Sequence, residues 1–139
     1  MSTRVLQPEG WPRPRGYANG MSATGRTIFV AGQVGWNEQQ RIVEGGMVAQ
    51  TRQALANIVA ILAVDGARPE HIVRLTWYVT DRAHYLAAEA PLGAVYREII
   101  GRHFPAMSAV EVKALMAPGA VVEIEATAVL PQVGDVAGQ

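Results

Sequence analysis

The sequence contains no cysteine, so thiolate nucleophiles, redox pairs, disulfides and cysteine-based metal sites are all excluded. It also lacks an excess of charge of either sign, because 12 Lys and Arg residues balance 12 Asp and Glu residues. A chain without net charge has no overall field that would concentrate polyanions. We therefore expect neither nucleic acid nor an acidic membrane as a partner.

A secretion signal and a membrane span are also missing by inspection. Residues 1–15 are polar and proline-rich, unlike a signal peptide, and no stretch approaches the roughly 18 apolar residues of a transmembrane helix. We expect a cytoplasmic protein. Half of the 139 residues are apolar, which is enough for one hydrophobic core. We expect an extended lead-in over residues 1–15, a single domain over residues 16–131 and a flexible tail over residues 132–139.

Hydrophobic periodicity predicts an α+β domain with the element order ββαβαββ. The predicted strands are residues 17–21, 27–32, 72–80, 108–115 and 121–130, and the predicted helices are residues 47–65 and 81–100. The first two strands are expected to form a hairpin that turns at Gly25, and residues 34–46 a surface loop. Asp81 is the expected N-cap of the second helix, whose buried stripe includes Leu86, and Pro91 marks a kink or a new first turn.

Both helices must bury their apolar stripes, so we expect them on one face of a mixed sheet. The opposite face carries polar and apolar side chains of the last strand and of a strand expected beside it: Glu123, Glu125, Thr127, Val129, Glu111, Lys113 and Leu115. Such a face is either in water or packed against other subunits. The apolar members of the set favour an oligomer.

The residue types alone do not identify a catalytic site. The three histidines, His71, His84 and His103, have no i, i+4 spacing, so a metal site is not expected, and no motif for a nucleotide cofactor occurs. The three glutamates of the sheet face could share a proton for acid–base work, but solvated carboxylates paired with Lys113 are the commoner arrangement. Tyr17, Trp36 and Trp77 suit ligand stacking or, more commonly, core or interface packing.

Six short segments in a fixed order carry a family resemblance. They are GYANG at residues 16–20, IFVAGQV at 28–34, YVTD at 78–81, FPA at 104–106, VEV at 110–112 and VEIEA at 122–126. Over roughly residues 16–130 the chain resembles the Rid family, also called YjgF-type or reactive intermediate deaminase proteins.

The resemblance implies a chorismate-mutase-like fold and a homotrimer whose sheets form a central barrel, with three clefts between neighbouring subunits. It also implies cofactor-free hydrolysis of an enamine or imine to a keto acid and ammonia. The resemblance implies that Glu123 positions the attacking water and that Tyr17 is the tyrosine of the cleft. It also implies that Gly32, with Gln33 beside it, contributes the backbone at the end of a strand that borders the cleft.

Three departures from the family pattern change the expected ligand. Met107 stands where the best-known branch has the arginine that clamps the substrate carboxylate, Ala31 replaces a serine, and Gly93 replaces a polar residue of the second helix. Methionine cannot pair with a carboxylate, and the loss is on the order of 3 to 5 kcal/mol of binding in a desolvated site. We expect poor turnover of 2-aminoacrylate and a more apolar pocket, with Trp36 contributing, suited to an aromatic or less charged ligand.

Two functions from different classes remain open at this point. The first is a deaminase that acts on an enamine, an imine or an aminated ring-cleavage product. The second is a non-catalytic trimer that binds or senses a small metabolite in the same clefts. The endoribonuclease activity attached to the family by name fits poorly with a neutral chain that lacks a basic stripe.

Overall fold

The computed structural model describes residues 3–132, and these form six strands, three α-helices and a short 3₁₀ helix at Pro69–His71. The strands are β1 Thr3–Leu6, β2 Gly20–Ala23, β3 Arg26–Val34, β4 Ile72–Val79, β5 Ala106–Glu111 and β6 Val122–Leu130, and the helices are α1 Gly46–Val64, α2 Arg82–Ala87 and α3 Glu89–Ile99. The main sheet has the order β3-β6-β4-β5, in which β6 is antiparallel to both neighbours and β4 is parallel to β5. The expected α+β class with a mixed sheet is confirmed.

The helix α1 supplies the core that covers one face of the sheet. Its side chains Leu55, Ile58 and Leu62 are fully buried and belong to one cluster with the strand residues Leu75 and Ile124. Each such side chain stabilises the fold by roughly 1.5–3 kcal/mol. By length and composition α1 is also apolar enough to cross a membrane, so the expectation that no segment reaches this threshold is wrong. Its buried face identifies it as a core helix.

The expected hairpin between the first two strands is wrong. Strand β2 pairs with β1 in a separate two-stranded sheet, and β3 pairs with β6. The turn at Gly25, where φ is +146°, therefore carries the chain from one sheet to the other, and a Cβ there would overlap the Leu130 carbonyl group. Part of the lead-in is thus a paired strand. Beyond Gln132, the expected tail lies outside the described residues.

The second predicted helix is two helices. It breaks at Ala88, and Pro91 lies in the first turn of α3, which confirms the alternative of a new first turn. Asp81 is the N-cap, because its carboxylate accepts a hydrogen bond of 2.9 Å from the backbone N–H of His84. Leu86, expected in the buried stripe, is 49% exposed, since the break interrupts the helical period that placed it there.

The neighbour expected for β6 is also wrong. Strand β4 separates β6 from β5, because the α2–α3 connection returns β5 to the edge of the sheet beside β4. Glu111 therefore lies apart from Glu123, and its carboxylate accepts a 2.6 Å hydrogen bond from the backbone N–H of Arg82 at the start of α2. Lys113 forms no ion pair with any carboxylate of residues 3–132.

Candidate functional site

The residues expected to form a site lie in two groups near opposite edges of the main sheet. One group, which we call the carboxylate pocket, lies where β3 meets β6 and is lined by Gly32, Val34, Trp36, Met116, Ala117 and Glu123. The other, which we call the aromatic cavity, lies between β5 and α3 and includes Gly93 and Met107. Strands β3 and β5 are the two edges of the sheet, so a single chain does not bring the groups together.

Glu123 is the acidic residue of the carboxylate pocket, and it lies directly against Gly32. A Cβ atom at position 32 would lie 2.8 Å from the carboxyl carbon of Glu123. Only glycine therefore leaves room for this carboxylate beside the strand backbone. The half-buried carboxylate can accept a proton from a water molecule held in the pocket.

A tyrosine and a second glutamate extend the polar surface along the outer sheet face. Tyr78 is the register partner of Glu123 across β4 and β6, and its hydroxyl donates a 3.1 Å hydrogen bond to Glu125. Desolvation raises the pKa of Tyr78, and the hydrogen bond to Glu125 and the negative charges of both glutamates raise it further. The phenol therefore stays a neutral donor throughout the physiological pH range.

A β-bulge in β3 determines which neighbouring side chains share the pocket with Glu123. The register shifts between Val30, which pairs with Ala126, and Gln33, which pairs with Ile124. Gln33 consequently turns toward α1 and lines a groove with Asn57 and Ile61. Ala31 is exposed within the bulge and accepts a 3.1 Å hydrogen bond from the Gln33 amide. Trp36 lines both this groove and the carboxylate pocket.

The aromatic cavity has flat walls made by four rings. Its lining includes Trp77, Tyr85, Tyr96, Phe104 and Met107. Trp77 meets Tyr85 edge to face with centroids 6.4 Å apart, and Tyr96 stacks on Phe104 with centroids 5.6 Å apart. Met107 lies opposite Leu75 in the pairing of β4 with β5. Because Leu75 is buried in the core beneath the helices, the side chain of Met107 also faces the helix side of the sheet. A planar apolar ligand suits such walls.

One hydrogen-bond donor on this wall has no acceptor. The indole of Trp77 is 6% exposed, and its buried Nε1–H finds no partner among residues 3–132. The phenol of Tyr96, by contrast, donates a 2.6 Å hydrogen bond to the carbonyl of His103. Burial raises the pKa of Tyr96 and of Tyr85, the latter with a contribution from the charge of Glu89, so both rings stay neutral.

The mouth of the aromatic cavity is charged. The mouth is formed by the exposed lining residues Arg15, Gly16, Glu89 and Arg97, with the half-buried Gly93 beside them. Tyr17 follows Gly16 and is 42% exposed, and the chain is held beside β5 by a 3.0 Å hydrogen bond from the Ala18 N–H to the Pro105 carbonyl. The structure thus places Tyr17, Gly93 and Met107 at the same edge of the sheet.

Sequence reasoning offered Trp77 for ligand stacking or, more commonly, core packing, and it missed both arginines of the mouth. Alternation assigned Trp77 to the core without showing that its indole borders a cavity. A signal for Arg97 was present, because residues 93 and 97 are i, i+4 neighbours on a helix and a glycine leaves the arginine uncovered. No three His, Asp or Glu side chains of the described residues group closely enough to hold a metal ion.

Comparison with known proteins matches residues 12–130 to the family model described as Endoribonuclease L-PSP. A RutC family protein from Pyrococcus abyssi is 36% identical over 129 residues, which are 92% of this chain and 98% of the relative. A 2-iminobutanoate/2-iminopropanoate deaminase from Capra hircus is 37% identical over 105 residues, 75% of this chain and 73% of the relative. The crystal structure of a Rid family protein from Yersinia pestis has a TM-score of 0.79 at 39% identity, and the match covers 94% of this chain and all of that one.

Proposed function

The chain belongs to the Endoribonuclease L-PSP family, also called the Rid or YjgF family, and on this basis we propose that it is a cofactor-free deaminase that hydrolyses an imine or enamine. The observation that carries the proposal is the Glu123 carboxylate, half-buried against Gly32 in a pocket at the β3 edge. The imine deaminase name of the goat relative supports the same reaction class.

The reaction requires a base that can return its proton. Glu123 takes a proton from water as the water oxygen forms a bond to the imine carbon, and the electron pair of the C=N bond moves to nitrogen. The same carboxyl group returns this proton to the nitrogen, which gives a neutral carbinolamine and an ionised Glu123. The carboxylate then takes the hydroxyl proton and passes it to the nitrogen, and the C–N bond breaks as the oxygen electron pair forms the C=O bond, so ammonia and the carbonyl product leave. An enamine enters this sequence after protonation at carbon. Such proton transfer typically contributes 10²–10⁴-fold to the rate.

We propose further that the active assembly is a homotrimer in the cytoplasm. The carboxylate pocket and the aromatic cavity lie at the β3 and β5 edges, so the β3 edge of one subunit against the β5 edge of the next would form one site from both. Apolar side chains support a covered outer face, since Phe29 is 79% exposed and Val110 45% exposed there. Tyr17, Gly93 and Met107 then belong to the ligand side, and Glu123 with Gly32 and Trp36 to the opposite side. Ala31 and Gln33, which were expected in the site, lie outside the carboxylate pocket because the β-bulge turns Gln33 toward α1.

The test measures ammonia released from imines that an amino acid oxidase produces in the assay. We expect faster turnover of the imine derived from phenylalanine than of the imine derived from alanine, because Met107 offers no clamp for a small carboxylate. Glu123→Gln should lower the rate at least about 100-fold. Glu44→Gln, a change of an exposed glutamate in the β3–α1 loop, is the matched control. Full activity in the Glu123 variant would remove this residue from the mechanism.

A second candidate is a non-catalytic metabolite-binding or sensor protein that uses the same cavity. The lining of the aromatic cavity favours this candidate. Its one acidic residue, Glu89, lies at the mouth, and Met107 stands where the family's best-known branch has the arginine that binds substrate, so the cavity wall itself offers little catalytic machinery. This candidate predicts saturable binding that raises the melting temperature and leaves the ligand unchanged. Recovery of a hydrolysed ligand after incubation would exclude it.

A further inference from the structure

The aromatic cavity carries a cationic group of its own on α3. The Nη1 atom of Arg97 lies 3.2 Å from the position that a Cβ of Gly93 would take. Gly93 lies one helical turn before Arg97, so the guanidinium group of Arg97 packs against the backbone of Gly93, and both residues line the cavity. A Cβ at position 93 would require the end of Arg97 to give slightly, and a longer side chain would compete with it for the same space. Gly93, which replaces a polar residue of the family pattern, thus makes room for a positive charge.

This charge is not used by the rest of the described chain. The ion pairs of residues 3–132 involve Arg26, Arg52 and Arg68, and neither Arg97 nor Arg15 has a hydrogen-bond or ion-pair partner in that part of the chain. Glu89 is the one carboxylate among the lining residues, so two guanidinium groups against one carboxylate leave an excess positive charge at the mouth. An anion at this place gains charge-assisted hydrogen bonds.

The interior of the cavity specifies the rest of the ligand. Four aromatic rings and the thioether of Met107 form flat, apolar walls, which favour a planar ring. The buried Nε1–H of Trp77 on this wall lacks an acceptor, and an unmet buried donor is costly. This nitrogen is itself fully buried, so a ligand in the cavity packs against the rest of the indole ring and does not meet the donor.

We propose that Arg97, exposed by Gly93 and assisted by Arg15, is the anion clamp of this cavity and that the ligand is an aromatic carboxylate. The clamp has moved from the strand position of Met107 to the helix position of Arg97, which leaves the volume beside β5 free for a ring. Identification of this ligand with the substrate rests on the proposed function, and the substrate is then the imine of an aryl-substituted keto acid.

Calorimetry with small probes tests the clamp directly. Benzoate and phenylacetate are compared with their neutral amides, benzamide and phenylacetamide, and with acetate, which has the charge without the ring. We expect each aromatic carboxylate to bind at least about 10-fold more tightly than its amide and than acetate. Arg97→Gln should weaken the carboxylates about 10- to 100-fold and leave the amides nearly unchanged. Arg102→Gln, a change of an exposed arginine outside the cavity, should alter neither.

Two further variants separate the clamp from a general effect on folding. Gly93→Ala should raise the melting temperature by a few degrees, because alanine favours a helix interior over glycine, and should leave benzoate binding close to that of the parent, because the end of Arg97 has to give only slightly. Trp77→Phe should weaken the carboxylates and the amides alike, with little change in probe selectivity. An Arg97→Gln protein that binds benzoate as tightly as the parent would overturn the clamp, and so would equal affinities for benzoate and benzamide. Equal affinities for benzoate and acetate would overturn the aromatic class.

The same variants distinguish failure of this inference from failure of the proposed function. Glu123→Gln should lose turnover and still bind the carboxylate probes at least as tightly as the parent, because the change removes a negative charge from the composite site. If Arg97→Gln loses binding but no imine is hydrolysed by the parent, the clamp stands and the deaminase proposal fails. If imines are hydrolysed and Arg97→Gln changes neither KM nor probe binding, the deaminase proposal stands and the clamp fails.

Discussion

Two glycines three residues apart in the β3 region, Gly32 and Gly35, are predicted to respond to alanine very differently, the first in turnover and the second in stability. At Gly32 an added Cβ would meet the side chain of Glu123, with the carboxyl carbon at 2.8 Å and Cγ at 3.0 Å. At Gly35 the Cβ would lie 2.5 Å from the Cα of Gln50 and 2.8 Å from its carbonyl oxygen. The first obstacle is a side chain that can rotate, and the second is the backbone of α1.

The expected magnitudes follow from what must move. Gly35→Ala has to displace α1, whose side chains form much of the core, and overpacking of this kind costs about 3 kcal/mol or more. That is a large share of the 5–15 kcal/mol that stabilises a typical domain. Gly32→Ala requires only that Glu123 change rotamer, so we expect a loss of about 1 kcal/mol or less in the free energy of unfolding. The carboxylate, however, leaves the strand backbone.

Urea unfolding followed by circular dichroism, together with ammonia release, separates the two effects. Gly35→Ala should unfold at much lower urea concentration than the parent, while Gly32→Ala should unfold close to it. Gly32→Ala, although folded, should show the same loss of turnover that we predict for Glu123→Gln. Parental turnover in Gly32→Ala would mean that the place of Glu123 beside this glycine has no part in catalysis, and a Gly35→Ala protein of parental stability would refute the packing argument.

Two other changes give independent checks. Burial raises the pKa of Tyr96 in the folded chain, so above pH 10 the unfolded chain loses this proton while the folded chain keeps it. The contribution of Tyr96 to the free energy of unfolding should therefore be constant below the ordinary pKa of about 10 and should decrease as the pH rises above it. Urea unfolding at pH 8 and pH 11 should show a smaller alkaline loss in Tyr96→Phe, which at pH 8 costs about 1 kcal/mol through the lost bond to His103. Met107→Arg should raise kcat/KM for the alanine-derived imine relative to the phenylalanine-derived imine. The arginine restores a partner for the carboxylate and fills the space that a ring would occupy. A parent protein that already prefers the alanine-derived imine would contradict this prediction.

The elements that follow a strong local period were predictable from sequence. Helix α1 and strand β4 have their observed limits within one or two residues of prediction, since apolar spacing reports burial on one face. Strand partners were not predictable in this way. The pairing of β2 with β1, and the placement of β4 between β5 and β6, depend on crossovers between distant segments. Alternation within a strand carries no information about which strand lies beside it.

The candidate site shows the same division. The family pattern supplied Glu123, Gly32 and Met107 as residues to inspect, whereas the bulge that turns Gln33 toward α1 leaves no mark in the alternation of β3. The role inferred for Arg97 required coordinates, because it depends on a 3.2 Å approach to the bare backbone of Gly93. Charge patterns alone would have assigned this arginine to the solvated face of a helix.

The central claim is that one site takes its carboxylate from one subunit and its aromatic cavity from the next, and subunit mixing tests it most directly. Glu123→Gln and Gly93→Trp each disable one half, so neither variant alone should release ammonia from the phenylalanine-derived imine much faster than the imine hydrolyses spontaneously. After the two are unfolded together and refolded at equal amounts, about one quarter of the sites should combine two intact halves and activity should return to that level. If both halves act within one chain, the mixture will stay inactive, and that result would contradict the account.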